Sequence, residues 1–181
     1  MIKILIVEDD PAIAEIHRRF VQRLAGFEVL GVALTLFDAR EQIAILKPDL
    51  VLLDVWLPDG EGFSLLRELR QSGAHLDVIL LTAAREAAAL QEAMRLGVVD
   101  FILKPVVFER LRDTLGNYAE SRAALAALNQ QGASAEEIGN RVGVSRTTAR
   151  RYLEFLVGQQ LASPELEYGT VGRPERRYRQ R

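Results

Sequence analysis

The sequence predicts an α/β protein: a doubly wound parallel sheet followed by a smaller helix-turn-helix domain. Three observations carry this prediction. Short apolar runs alternate with amphipathic helical stretches up to about Tyr118. Glycine or proline punctuates most of the junctions between them. After Gly132 the pattern changes to two short capped helices and two strand-like stretches. Strand and helix in alternation, joined by short loops, build right-handed βαβ units and a parallel sheet covered on both faces.

Taken in order, the strands are Lys3–Val7, Glu28–Ala33, Leu50–Leu53, Val78–Leu81 and Phe101–Leu103. The first helix carries Ile13, Ile16, Phe20 and Leu24 on one stripe, with Asp10 as N-cap and Pro11 at its first position. The second, Phe37–Leu46, stops before Pro48; the third, Phe63–Ser72, ends at Gly73. The fourth, Glu86–Leu96, ends at Gly97, and the fifth starts near Val107. This is a (βα)5 arrangement with the flavodoxin-like strand order 2-1-3-4-5. The expected boundaries are 1–120 for this domain, 121–132 for a short helical connector, and 133–181 for the rest. In the connector region Tyr118, Leu125 and Leu128 have heptad-compatible spacing over barely two heptads. They read better as the packed first helix of the next domain than as a dimer seam.

Composition narrows the function classes. The chain is 49% hydrophobic and 27% charged, ordinary for a globular protein. It has no cysteine, which excludes disulfides, thiolate zinc sites and thiol catalysis. No apolar run approaches the roughly 18 residues of a membrane span, and the start leads directly into a strand; no membrane insertion and a cytoplasmic location are expected. Residues 1–121 hold 13 basic and 19 acidic groups, whereas residues 122–181 hold 10 and 6. All ten basic residues of the second part are arginine. Such asymmetry fits a module that meets nucleic acid, or a solvated arginine-rich surface.

The chemistry gathers at strand ends. Glu8 and Asp9 leave the first strand and Asp54 leaves the third. In the expected order those strands are neighbours at the topological switch point, where ligands bind. Three close carboxylates repel one another and need a cation; oxygen ligands without His or Cys suit Mg²⁺. Thr82 ends the fourth strand and Lys104 the fifth, followed by Pro105. A carboxylate nucleophile, a divalent cation, a hydroxyl and a lysine are the parts that form and hold an aspartyl phosphate. Asp59 reads as a turn residue, and His17 and His75 as surface residues. Trp56, two residues after Asp54, is a potential fluorescence reporter.

Glu8-Asp9, Asp54, Thr82 and Lys104-Pro105, in that order, resemble the receiver domain of two-component response regulators. The resemblance covers roughly residues 1–120. It implies that Asp54 accepts phosphate from a sensor histidine kinase. It implies that Glu8, Asp9, Asp54 and the Trp56 carbonyl hold Mg²⁺, and that Thr82 and Lys104 contact the phosphoryl group. Phe101 falls at the family's aromatic switch position. The resemblance also implies a cis Lys104–Pro105 peptide.

In the second part Ser134-Ala135-Glu136-Glu137 is a capping box, followed by Ile138, Val142 and a turn at Gly143. Ser145 caps a second helix with core face Ala149, Leu153 and Leu156, closed by Gly158. Leu161–Tyr168 and Arg176–Arg179 bracket a loop and read as a β-hairpin wing. In such a motif the second helix enters the major groove. Its N-terminal face here is Ser145, Arg146, Thr147, Thr148, Arg150 and Arg151; Arg173, Arg176 and Arg177 lie in the wing. Arginine reads guanine and also holds phosphate, and the sequence does not apportion these roles.

The stretches 134–154 and 168–174 resemble the output domain of the CitB/DcuR branch of response regulators, which responds to citrate and C4-dicarboxylates. That implies a transcription regulator with a double-stranded DNA promoter target, paired with a membrane sensor histidine kinase for di- or tricarboxylates. Phosphorylation of Asp54 is expected to change the surface of the fourth and fifth helices and favour a homodimer. Members of the branch usually have a longer segment between the two domains than this chain has. Two other classes are weighed. An Mg²⁺-dependent aspartyl-phosphate phosphatase typically needs a second Asp two residues after the nucleophile, where Trp56 stands. An RNA- or protein-binding output would not need the wing. The expected protein is a regulator and not an enzyme.

Overall fold

The computed structural model of the chain describes residues 1–74, 76–83, 87–128, 131–167 and 174–181. They form two compact units, Met1–Leu115 and Gly116–Arg181.

The first unit is built on β1 (Ile2–Val7), β2 (Phe27–Ala33), β3 (Leu50–Asp54), β6 (Asp77–Thr82) and β7 (Asp100–Leu103), all parallel, in the order β2-β1-β3-β6-β7. This is the doubly wound order expected. The burial of each strand explains its place. Every residue of β3 is buried, as is β1 from Ile4 and β6 from Val78, so these three sit inside; β2 and β7 are only partly buried and form the edges. Residues alternate between the faces. Leu5, Val7, Val51, Leu53, Val78 and Leu80 share one core cluster with Phe63 and Leu66, while the intervening Ile4, Ile6, Leu52, Ile79 and Leu81 are buried outside it. Each such side chain contributes about 1.5–3 kcal/mol when fully buried.

Helices α1 (Pro11–Gln22), α2 (Leu36–Leu46), α3 (Gly62–Gln71), α4 (Ala87–Arg95) and α5 (Phe108–Ala127) connect the strands. Asp10 caps α1, its carboxylate accepting from the N–H groups of Ala12 at 2.8 Å and Ile13 at 3.2 Å. A short antiparallel pair, β4 (Trp56–Leu57) and β5 (Gly60–Glu61), replaces the plain loop expected after β3.

The inward face of α1 differs from the expected stripe. Ala14, His17 and Val21 are the buried residues, and Ile13 and Ile16 are exposed. Phe20 is half-buried and packs edge-on against Phe108 of α5, ring centroids 5.5 Å apart. The helix is turned by one residue so that small Ala14 meets the sheet, and a neutral imidazole fills the next position. His17, expected at the surface, is 2% exposed, and its Nδ1 has no hydrogen-bond partner. His75 lies outside the described residues.

The second unit begins inside α5, which continues through Gly116. It is followed by β8 (Ala133–Ser134), α6 (Ala135–Val142), α7 (Arg146–Gly158), β9 (Ala162–Glu167) and β10 (Glu175–Gln180). The expected capping box is complete: Glu137 N–H donates to Ser134 Oγ at 3.3 Å and Ser134 N–H to the Glu137 carboxylate at 2.9 Å. Gly143 ends α6 with φ 80°, the left-handed turn between the two helices. At Gly139 a Cβ would meet the Val144 carbonyl oxygen at 2.8 Å, so that turn folds tightly back onto α6. Ala124, Leu128, Ile138, Ala149, Leu153, Leu156 and Tyr178 form the core. Strand β10 pairs antiparallel with both β8 and β9, giving a three-stranded sheet where only the β9–β10 hairpin was expected. Residues 168–173, which include Arg173, lie outside the described residues.

Burial, with the nearby Lys104 charge adding to it, pushes the His17 pKa down from 6.5 to about 4. Because the folded value lies below the unfolded one, the unfolded chain takes up the extra proton as pH falls through this window. Stability from neutral His17 is therefore full above about pH 6.5 and declines toward pH 4, by roughly 3 kcal/mol in all. Urea midpoints measured across that range should fall for the native chain, and the fall should be much shallower in His17→Leu.

Candidate phosphoacceptor site and nucleic-acid surface

The parallel register assembles one site at the carboxyl rim of the sheet. Val7 pairs with Leu53, Asp54 with Leu81, and Thr82 with Leu103, so residues 8, 54, 82 and 104 emerge side by side. The backbone secures them. Glu8 N–H donates to Ala33 O at 3.0 Å, and Lys104 N–H to Thr82 O at 2.8 Å.

Glu8, Asp9 and Asp54 each present a carboxylate oxygen within 4.8 Å of the others. Glu8 and Asp54 are buried; Asp9 is exposed. The Lys104 ammonium reaches in from the last strand, donating to Glu8 Oε2 at 2.9 Å and Asp54 Oδ2 at 2.5 Å. Burial raises the pKa of Glu8 above its usual range, and the neighbouring Asp54 charge adds to this, against the opposing pull of Lys104. Burial also works against charge on Lys104, but its hydrogen bonds and charge attraction to Asp54 and Glu8 outweigh that and hold its pKa above the ordinary value. The second Asp54 oxygen accepts from Trp56 N–H at 3.3 Å, so one oxygen faces the lysine and the other the loop. Thr82 is 7% exposed at the end of β6. Phe101 is half-buried against the core beside it. The Lys104–Pro105 peptide is cis, as the sequence led us to expect.

Asp59 has a role that sequence reading missed. Expected as a turn residue, it does sit at a turn, but its carboxylate also accepts from Leu36 N–H at 2.8 Å and Phe37 N–H at 2.9 Å at the start of α2. Those backbone bonds, Leu36 first, lower its pKa. The loop leaving Asp54 is thereby tied to a helix on another part of the rim. Only the residue type, an acid that favours helix N-termini, hinted at this.

Ser145 caps α7, accepting from Thr148 N–H at 3.1 Å, and its hydroxyl lies 2.9 Å from the Thr148 hydroxyl. Both hydroxyls are thus engaged in the cap; Thr147 is exposed. The arginines divide by their partners. Among the described residues no ion pair engages Arg146 or Arg150. With Arg176, Leu166, Glu175 and Tyr178 they line an open groove of about 690 Å³. Arg176 also pairs with Glu154 at 3.3 Å. Arg177 is turned to Glu137 at 3.0 Å, Glu167 at 3.3 Å and the Gly132 carbonyl at 3.0 Å. Arg151 donates to Tyr152 Oη at 3.1 Å and Asn117 Oδ1 at 3.4 Å.

Comparison with known proteins bears on both halves. The family described as response regulator receiver domain matches residues 4–116, and the DpiA-like helix-turn-helix domain matches residues 129–180. The transcriptional regulatory protein CitT of Bacillus subtilis is 36% identical over 224 residues, covering 98% of this chain and 98% of its own. The transcriptional regulatory protein DpiA of Escherichia coli K12 is 33% identical, covering 97% of this chain and 96% of its own. The probable C4-dicarboxylate response regulator DctR of Halalkalibacterium halodurans is 31% identical, covering 99% and 96%. The alignment with CitT is longer than this chain's 181 residues, so CitT carries residues without a counterpart here. Among solved structures, the signal receiver domain of a DNA-binding response regulator (merR) from Colwellia psychrerythraea 34H has a TM-score of 0.61 at 28% identity, covering 66% of this chain and 99% of its own. A CheY-like receiver domain protein from Methanospirillum hungatei JF-1 has 0.61 at 26%, covering 67% and 96%.

At Gly62 an added Cβ would meet the Asp54 carbonyl oxygen at 2.4 Å. Gly62→Ala should therefore push the Asp54 strand end away from α3. Melting should show a loss of about 1–3 kcal/mol, the usual range for overpacking.

Proposed function

The chain belongs to the two-component response regulators, and from that membership we propose that Asp54 is its phosphoacceptor and the winged helix-turn-helix its promoter-reading output. The observation that carries this reading is the meeting of the Glu8, Asp9 and Asp54 carboxylates with the Lys104 ammonium at the rim.

In the proposed reaction an Asp54 carboxylate oxygen attacks the phosphorus of a phosphohistidine on a sensor kinase. The new oxygen–phosphorus bond forms as the phosphorus–nitrogen bond breaks, and the imidazole leaves with the electron pair. Lys104, already on Asp54, is placed to follow the developing charge on the phosphoryl oxygens, and the Thr82 hydroxyl to donate to another. An oxygen-only donor set of three acids suits Mg²⁺, which Glu8, Asp9, Asp54 and the Trp56 carbonyl would hold. When bound, it supplies charge neutralisation during phosphoryl transfer.

Phosphorylation adds about 1.5 to 2 negative charges at Asp54. Lys104 and Thr82 then turn to the phosphoryl group, and half-buried Phe101 repacks inward. The changed surface of α4 and α5 favours a homodimer, whose two α7 helices reach successive major grooves. Arg146 and Arg150, which lack ion-pair partners among the described residues, and Arg176 form the DNA-facing set. Thr147 joins them on the exposed face of α7. Similarity over nearly the full length to a protein named as a probable C4-dicarboxylate response regulator supports a di- or tricarboxylate stimulus, sensed by a membrane histidine kinase. Among the described residues no helix is long and apolar enough to cross a membrane. A regulator that reads a promoter works where the DNA is, and the proposed location is the cytoplasm.

Incubation with acetyl phosphate and Mg²⁺ should add one phosphoryl mass to the intact protein and shift the emission of Trp56, which is 53% exposed. Asp54→Asn should abolish the mass gain. Lys104→Ala should keep the acceptor but slow labelling by about 10²-fold. An unchanged mass gain in Asp54→Asn would sink the assignment.

A further inference from the structure

Helix α5 contributes to both units, and its second part meets the recognition helix. Tyr152 of α7 is buried, and its hydroxyl donates to the Glu120 carboxylate on α5. The same hydroxyl accepts from Arg151 Nη2 at 3.1 Å. The Arg151 guanidinium also lies over the Tyr152 ring, 5.1 Å from its centroid, and donates to Asn117 Oδ1 on α5 at 3.4 Å. The donor and acceptor roles are consistent along the chain of groups: Glu120 accepts the hydrogen bond that the hydroxyl donates, leaving the oxygen lone pairs for Arg151. Helical spacing puts Arg151 one turn after exposed Thr147, on a face open to a duplex. Its side chain is nevertheless drawn along α7 toward α5, while Arg146 and Arg150 line the open groove.

We propose that Glu120 is a positioning residue for DNA reading: through the Tyr152 hydroxyl, and with Asn117, it keeps the Arg151 guanidinium on α5 and away from the phosphate backbone. Helix α5 thereby sets how many arginines the recognition helix presents. This rests on the DNA-binding reading above and adds to it a control residue outside the helix-turn-helix.

Each phosphate neutralised by a protein cation steepens the dependence of log affinity on log salt by about 0.9 for duplex DNA. The test is fluorescence anisotropy of the full-length protein with a duplex of arbitrary sequence, titrated over a range of salt. Tyr152→Phe keeps the buried ring and removes the hydroxyl; with Asn117→Ala it releases Arg151. The double variant should bind more tightly at low salt, with a slope steeper by about 0.9. Adding Arg151→Ala should cancel that gain, whereas Arg151→Ala alone should leave the wild-type slope unchanged. If Tyr152→Phe does not fold, Glu120→Ala replaces it. Part of its effect on affinity should vanish in the Arg151→Ala background, a non-additivity that simple loss of a negative charge does not produce. An unchanged slope in the release variants, or a shallower one in Arg151→Ala alone, overturns the inference and leaves DNA binding intact. Failure of the wild type to bind any duplex overturns the DNA-binding reading itself.

Discussion

An ammonium shared by two buried carboxylates holds the rim of the sheet together. Parallel strands stand roughly 4.8 Å apart, so β7, which delivers Lys104, is two strand spacings from β3 and three from β1. Only a long, flexible cationic side chain crosses that distance to reach both Asp54 and Glu8. The contact also depends on register. A slip of one residue in β3 or β6 would turn Asp54 or Thr82 to the other face. That register is protected because the inner strands are apolar on both faces and bury every residue near the rim. The core thus has a chemical consequence: it fixes where a small number of polar groups emerge.

The same contact makes the site responsive. Burial raises the pKa of Glu8 against the pull of Lys104, and it opposes charge on Lys104, which is held charged by its contacts with Asp54 and Glu8. Any change in charge at Asp54 alters what Lys104 is attached to. Lys104 directly follows β7, an edge strand that also carries Phe101, and α5 begins only four residues after it. A redistribution of charge at the centre of the rim therefore bears on a partly buried edge strand and on the helix that follows it.

Much of this was legible in the sequence, for a physical reason. Doubly wound sheets put chemistry at strand ends, and strand ends are visible where apolar runs stop. Glu8, Asp9, Asp54, Thr82 and Lys104 could be read as one cluster without any contact information. Features set by tertiary partners could not. The buried face of α1 was misjudged because an apolar stripe containing Ile13 and Ile16 outweighed Ala14 and His17, which fit closer to the sheet. The reach of Asp59 to α2 joins residues 22 and 23 apart and has no periodic signal. The arginines of the second unit look alike in sequence; Arg177 and Arg146 differ because the first meets Glu137 and Glu167 and the second meets no such acid among the described residues.

Helix α5 shows how local preference yields to packing. Gly116 lies within it and lowers helix propensity by about 1 kcal/mol relative to alanine, yet the helix continues through that position to Ala127. Downstream of the glycine, Tyr118, Ser121, Ala124 and Leu128 recur at three- and four-residue spacing and are all buried. Ala124 and Leu128 belong to the same core as Ala149, Leu153 and Leu156 of α7. A helix with such a face cannot rotate about its axis without unpacking the residues that seat the recognition helix. The two family matches leave only residues 117–128 between them, and all but the last of these are in α5.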